Sequence, residues 1–202
     1  WHLDSAEYYL TFHVLDAKPK ITEINFINKT VTGTATYVSG TWNPAATQAW
    51  VRDGGTPYGS FTLTATVTGG AYRAMHTDWT ANLQPLLGGT GSTNTAVVPT
   101  AVSSGSGSNE SHIWTLTWTG VIPASVANAW NNNQILQIPI TIITQDGIPA
   151  AHTEIKNINI MVDKSAPVVS TTVSSITANG TAQNLNFTVT DTPGSGVYWN
   201  TI

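Results

Sequence analysis

The feature that most constrains this chain is a series of short runs in which apolar and polar residues alternate at period two. Ser60-Phe61-Thr62-Leu63-Thr64-Ala65-Thr66-Val67 is the clearest of them, and such alternation marks a strand with one face buried and one face wet. Ile113-Trp114-Thr115-Leu116-Thr117-Trp118 alternates in a similar way. Residues 30–38 form a β-branched run bounded by turn residues, and residues 134–144 (QILQIPITIIT) form a longer apolar one. Pro139 lacks an N–H, which predicts an edge position or a bulge for that strand. Residues 158–162 and 185–189 complete the set, and Ala101-Val102 beside Pro99 adds a short edge strand. Helical periodicity is confined to residues 124–130, where Asn131-Asn132-Asn133 stops it after a turn or two. Short strands separated by loops rich in Gly, Ser, Thr and Asn predict an all-β fold of the β-sandwich kind.

Composition narrows the setting. Charged residues make up only 9% of the 202 residues, against about 25% in an ordinary soluble domain. Polar surface must come from Thr, Ser, Asn and Gln, as suits an extracellular, cell-surface β-protein. With seven Lys and Arg, scattered, and a net charge of −4, nothing draws in nucleic acid or an anionic membrane. The absence of cysteine removes disulfides, zinc ribbons and thiol chemistry. No apolar stretch approaches the ~18 residues of a membrane span.

An internal echo divides the chain. Leu10-Thr11-Phe12-His13-Val14-Leu15-Asp16 is followed by Ala17-Lys18-Pro19-Lys20-Ile21. Ile158-Asn159-Ile160-Met161-Val162-Asp163 is followed by Lys164-Ser165-Ala166-Pro167-Val168. Both are apolar strands that end in Asp, then a Lys, a Pro and a new β-branched run, about 147 residues apart. The echo predicts that residues 1–16 are the last strand of a preceding module, or a donor strand, and that residues 17–163 are a complete sandwich module. Residues 164–202 are then the opening strands of a further module. Trp1 is neither an initiator Met nor part of a signal peptide, and the chain reads as a fragment of something longer.

The segment Asp163-Lys164-Ser165-Ala166-Pro167, then Leu185-Asn186-Phe187-Thr188-Val189-Thr190-Asp191 and Gly194-Ser195-Gly196-Val197, resembles the start of bacterial and archaeal immunoglobulin-like repeats of large surface-layer or adhesin-type proteins. His76-Thr77-Asp78-Trp79-Thr80-Ala81-Asn82-Leu83, Leu87-Gly88-Gly89 and residues 140–147 are similar to later segments of such repeats. The resemblance spans residues 71–202; Trp79 after Asp78 and Ile148 after Gly147 depart from it. It implies immunoglobulin-like modules in tandem, which serve as spacers, stalks and building blocks of surface layers and filaments. Residues 21–70 resemble nothing in that pattern.

The residues offer little chemistry for an enzyme. His13, His76, His112 and His152 accompany no Ser in a nucleophile elbow, and the eleven acidic residues mark no paired-carboxylate groove. No catalytic residue and no enzymatic activity is expected. Asp16 and Asp163 stand at the two junctions, and Asp78, Asp146 and Asp191 where strands meet loops. Oxygen ligands gathered there suit calcium, which would stiffen a junction in place of disulfides; the same residues also cap turns. Trp42 and Trp50 flank a turn-rich segment that begins Asn43-Pro44, and exposed aromatics there suit a glycan or a neighbouring subunit. Trp114 and Trp118 share one strand face, as core residues do. Sequons at Asn28, Asn109, Asn179 and Asn186 are glycosylation candidates, although chance alone gives about four in such a composition. The functional expectation is a self-assembling extracellular unit with copies of itself as partners; the alternative is an adhesin or carbohydrate-binding module that uses loop aromatics.

Overall fold

A computed structural model describes residues 20–28, 31–52, 59–68, 79–89, 93–95, 100–104, 111–143, 153–171, 180 and 186–191. The described residues are mostly strand with little helix. One sheet takes β1 (Lys20–Asn28), β2 (Val31–Val38), β3 (Thr41–Thr47), β5 (Ser60–Thr68), β8 (Thr100–Ser104) and β9 (Ser111–Val121) in the order β3-β2-β1-β5-β9-β8. A second takes β4 (Ala49–Arg52), β6 (Thr80–Asn82), β7 (Thr93–Thr95), β10 (Ile135–Ile143) and β11 (Thr153–Asp163) in the order β4-β11-β10-β6-β7. Every neighbouring pair is antiparallel except β4 with β11. A separate antiparallel pair, β12 (Val168–Thr171) with β13 (Phe187–Thr190), follows them.

The alternation read in the sequence sets the core. Phe61, Leu63, Ala65 and Val67 of β5 point inward and are fully enclosed, as are Leu136, Ile138, Ile140 and Ile142 of β10 and Ile158, Ile160 and Val162 of β11. All belong to one apolar cluster shared by the two sheets. In β1 the buried positions are Ile21, then Ile24, Phe26 and Asn28. The change of parity has a cause: the register against β5 slips between Ile21 and Glu23, and a bulge of one residue turns every later side chain to the other face. Phe26 then stacks on Phe61 at 5.9 Å between ring centres. Trp118 is 2% exposed and Trp114 packs at the margin of the same cluster.

The opposite face of the larger sheet is largely threonine, with Glu23 of β1 standing between Thr66 and Thr36. Thr62, Thr64 and Thr66 of β5 stand directly across from Thr119, Thr117 and Thr115 of β9. The rows continue through Asn25 to Thr34 and Thr47, with a 2.8 Å hydrogen bond from the Thr34 hydroxyl to the Asn25 side-chain oxygen. β-Branched hydroxyl side chains fit a pleated, half-wet surface without charge.

Two helical turns close one end of the core. The sequence predicts the second, α2 (Ala124–Asn128), and misses the first, α1 (Gln84–Leu87). Pro85 sits in the first turn of α1, where a missing N–H costs nothing, and the Asn82 side chain accepts the Gln84 N–H. Leu83, Leu86 and Ala127 are buried. Pro139 corrects the edge expectation: β10 is an interior strand, between β11 and β6. Its ladder with β6 holds only Ile140 and Thr141 and ends beside Pro139, so the missing donor meets no partner strand on that side.

The chain changes sheet between β3 and β4, with only Gln48 between them. This crossing brings Ala49 of β4 against Gly33 of β2, where a Cβ would collide with the Ala49 backbone. Gly33→Ala is expected to cost about 1–3 kcal/mol by forcing the strands apart, read as a lower denaturation midpoint in urea at an unchanged slope.

Candidate functional site

The crossing between sheets carries the first candidate cluster. Trp42 lies in β3 opposite Tyr37 of β2, and the two rings meet edge to face at 5.2 Å. The Trp42 indole N–H donates to the Asn157 carbonyl of β11 at 2.9 Å. This ties an edge strand of one sheet to a strand of the other. The Lys156 ammonium lies 5.6 Å from the Tyr37 ring centre and 5.9 Å from that of Trp42, and Lys20 lies 4.6 Å from Tyr37. Both are cation–π distances. Glu154 pairs with Lys156 at 3.3 Å. Burial is the largest single influence on Lys156 and opposes its charge, but hydrogen bonding and attraction to Glu154, with Tyr37 adding to both, hold its pKa above the ordinary value of 10.5.

Trp42 and Trp50 are strand residues, which corrects the loop expected around Asn43-Pro44. They share no face. Trp42 packs on the core. Trp50 stands between Ala49 and Val51, both turned inward, so its ring points away from the core. There it neighbours Met161 of β11, which in turn faces Ile135 of β10. Ile135 is 58% exposed. Trp50, Met161 and Ile135 thus form an apolar row across three strands, next to the amide pair Gln137 and Asn159.

The second cluster is the junction after β11. Asp163 is buried, and its carboxylate accepts the Ser165 N–H at 3.0 Å, an Asx turn. Asn132 receives the Lys164 N–H at 2.7 Å through its oxygen and donates to the Ser165 hydroxyl at 2.9 Å through its nitrogen. The Lys164 ammonium donates to the carbonyls of Trp130 at 2.6 Å and Asn128 at 3.3 Å, at the end of α2. The Asn131-Asn132-Asn133 run, read in the sequence as a helix stop, therefore also anchors the junction. Asn133 adopts the left-handed conformation at φ 63° and donates its N–H to the Val162 carbonyl at 2.8 Å.

Of the other acidic candidates, Asp191 follows β13, with one carboxylate oxygen buried and no hydrogen-bond partner for it. Asp16, Asp78 and Asp146 lie outside the described residues. Among the described residues no three His, Asp or Glu side chains converge. Asn28, one of the glycosylation candidates, is fully enclosed, and its amide nitrogen donates to the Ser60 carbonyl at 3.2 Å. Asn186 is exposed before β13, while Asn109 and Asn179 fall outside the described residues. So do His13, His76 and His152. The contacts of Tyr37, Lys156 and Lys164 are not legible in the sequence, because each joins segments far apart in it; Glu154 pairs with Lys156 two residues along the same strand. No helix among the described residues is long and apolar enough to cross a membrane.

No protein-family model matches the chain, and no curated protein or solved structure shows significant similarity to it.

Two outcomes test the aromatic edge. Trp42→Phe keeps the ring and orphans the Asn157 carbonyl, with an expected loss of about 1 kcal/mol in chemical denaturation. The Lys156 pKa is raised by folding, so its stabilising contribution is complete below 10.5 and fades as pH rises through the folded value. Denaturation midpoints followed from neutral into alkaline pH should lose this contribution in the native protein and show a smaller alkaline loss in Glu154→Gln.

Proposed function

We propose that this chain is a length of an extracellular structural protein made of immunoglobulin-like β-sandwich modules in tandem, which assembles with copies of itself into a surface layer, sheath or filament. One observation carries the reading: the first two pairs of β12 with β13 fall in the same register as the first two pairs of β1 with β5, ahead of the bulge in β1. Pro19 directly precedes β1 and Pro167 directly precedes β12. Lys20 pairs with Thr68 and Ile21 with Val67; Val168 pairs with Thr190 and Val169 with Val189. The partner strands end alike, as Thr66-Val67-Thr68 and Thr188-Val189-Thr190. The residues between the paired strands differ, since β1 and β5 are separated by β2, β3 and β4.

The equivalence has an energetic corollary. Ile21 is fully buried, whereas Val169 is 59% exposed and Phe187 58%. Two strands alone are marginal in water, so the β12–β13 pair, which has no third strand among the described residues, calls for further strands. Residues 10–16, which echo the last strand of the body, are the segment of a second copy suited to contribute to it by strand addition. Function in such a protein is shape and assembly, with modules as its repeating length.

A second reading has its own observation. The open row of Trp50, Met161 and Ile135 beside neutral amides offers a stacking surface with hydrogen-bond donors and acceptors, as a glycan-binding adhesin requires. Loss of binding on a glycan array in Trp50→Ala would favour it.

Electron microscopy of the purified chain, in calcium and then in chelator, tests the assembly reading. Ordered filaments or sheets are expected, and monodisperse monomers in both conditions would overturn it. Deleting residues 1–16 should abolish polymers and leave the β1–β11 body folded; polymers from the truncated chain would exclude strand donation.

A further inference from the structure

The junction after β11 is rich in oxygen. The Trp130 and Asn128 carbonyls, the Asn132 side-chain oxygen and the buried Asp163 carboxylate all converge on residues 163–165. Carbonyl and carboxylate oxygens of this sort are the donor chemistry of a hard cation such as calcium. Two of the carbonyls are already met by a cation, the Lys164 ammonium, at 2.6 Å and 3.3 Å.

We infer that Lys164 is a tethered cation that locks the passage out of the β1–β11 body, doing at this junction what a bound divalent ion would otherwise do. Its side chain ties the passage to the end of α2, and its backbone N–H ties it to Asn132. Asn132 in turn holds Ser165, whose N–H is held by Asp163. The bonds span 30 or more residues of sequence between the turn at 128–132 and the strand exit at 163–165. One charge-assisted donor and a ring of amide bonds thus restrict the chain over consecutive residues, where an isolated linker would turn freely. A lysine delivers its charge with the fold itself, so the stiffness of the passage does not vary with the calcium around it. The inference rests on the tandem-module reading for what the passage connects, but its geometry belongs to this chain alone.

Hydrogen–deuterium exchange on the full chain tests it, whether or not the chain polymerises. Lys164→Met removes the charge and keeps the length; Lys164→Arg keeps a donor cation. In Lys164→Met the amides of Asn133, Lys164 and Ser165 should exchange roughly tenfold faster or more, as expected for loss of hydrogen bonds to a charged group. Amides of β5 and β9 should be unchanged, which separates local release from unfolding. Lys164→Arg should retain most of the protection, and the native chain should exchange equally in calcium and in chelator. Native-like exchange in Lys164→Met, or loss of native protection in chelator alone, would overturn the inference. The chelator comparison needs no variant. Monomers in the microscope with a protected, calcium-indifferent junction would sink the assembly reading and leave this one standing.

Discussion

Everything in the body depends on apolar contact between two sheets across one core. With no cysteine and few charges, burial is the dominant favourable term open to the chain. The contact is made by alternate residues of β1, β5 and β9 against those of β10 and β11. The bulge in β1 shows how strictly this is enforced. A strand whose apolar positions fall out of step between Ile21 and Ile24 is brought back into register by an extra residue, and no apolar side chain is turned outward at that point.

Face-to-face sheets still leave open flanks, and one flank is managed by passing the chain across it. β3 ends in one sheet and β4 begins in the other, so covalent continuity holds the layers together there. The close approach of Gly33 and Ala49 lets the crossing happen without a gap. Trp42 then bonds to β11 from the same flank, with Lys156 over its ring. The parallel pairing of β4 with β11 follows from this route, because a strand arriving by a crossing need not run opposite to its neighbour.

The fold class was legible because period-two alternation is a local signal with a single physical cause. Residues 60–67 and 113–118 carry it plainly, and both are core strands with the expected face inward. The small helix at 124–128 was legible for the same reason. Pro139 was read from a rule about edges, but the relevant edge is two residues of ladder long and cannot be seen from one strand. The turn at 84–87 escaped because Pro85 reads as a breaker unless it is known to lie in a first turn. The sites were less legible still. Trp42 looks like a loop residue until β11, 115 residues away, supplies its partner. Lys164 looks like part of a linker until Asn128, Trp130 and Asn132 fold back onto it. Contacts of that span are properties of topology, and composition carries no trace of them.

The threonine rows on the outer face of the larger sheet also set how this surface meets its surroundings. Paired hydroxyls and methyls on β5 and β9 present neither a field to attract ions nor one for ions to screen. Screening acts on charge, and its length falls from about 30 Å in dilute salt to about 3 Å at molar salt. The part of the face built on the β5 and β9 threonines is nearly indifferent to that change, with the one carboxylate of Glu23 at its margin on β1. Whatever rests against those threonine rows would be held much the same in fresh water and in brine.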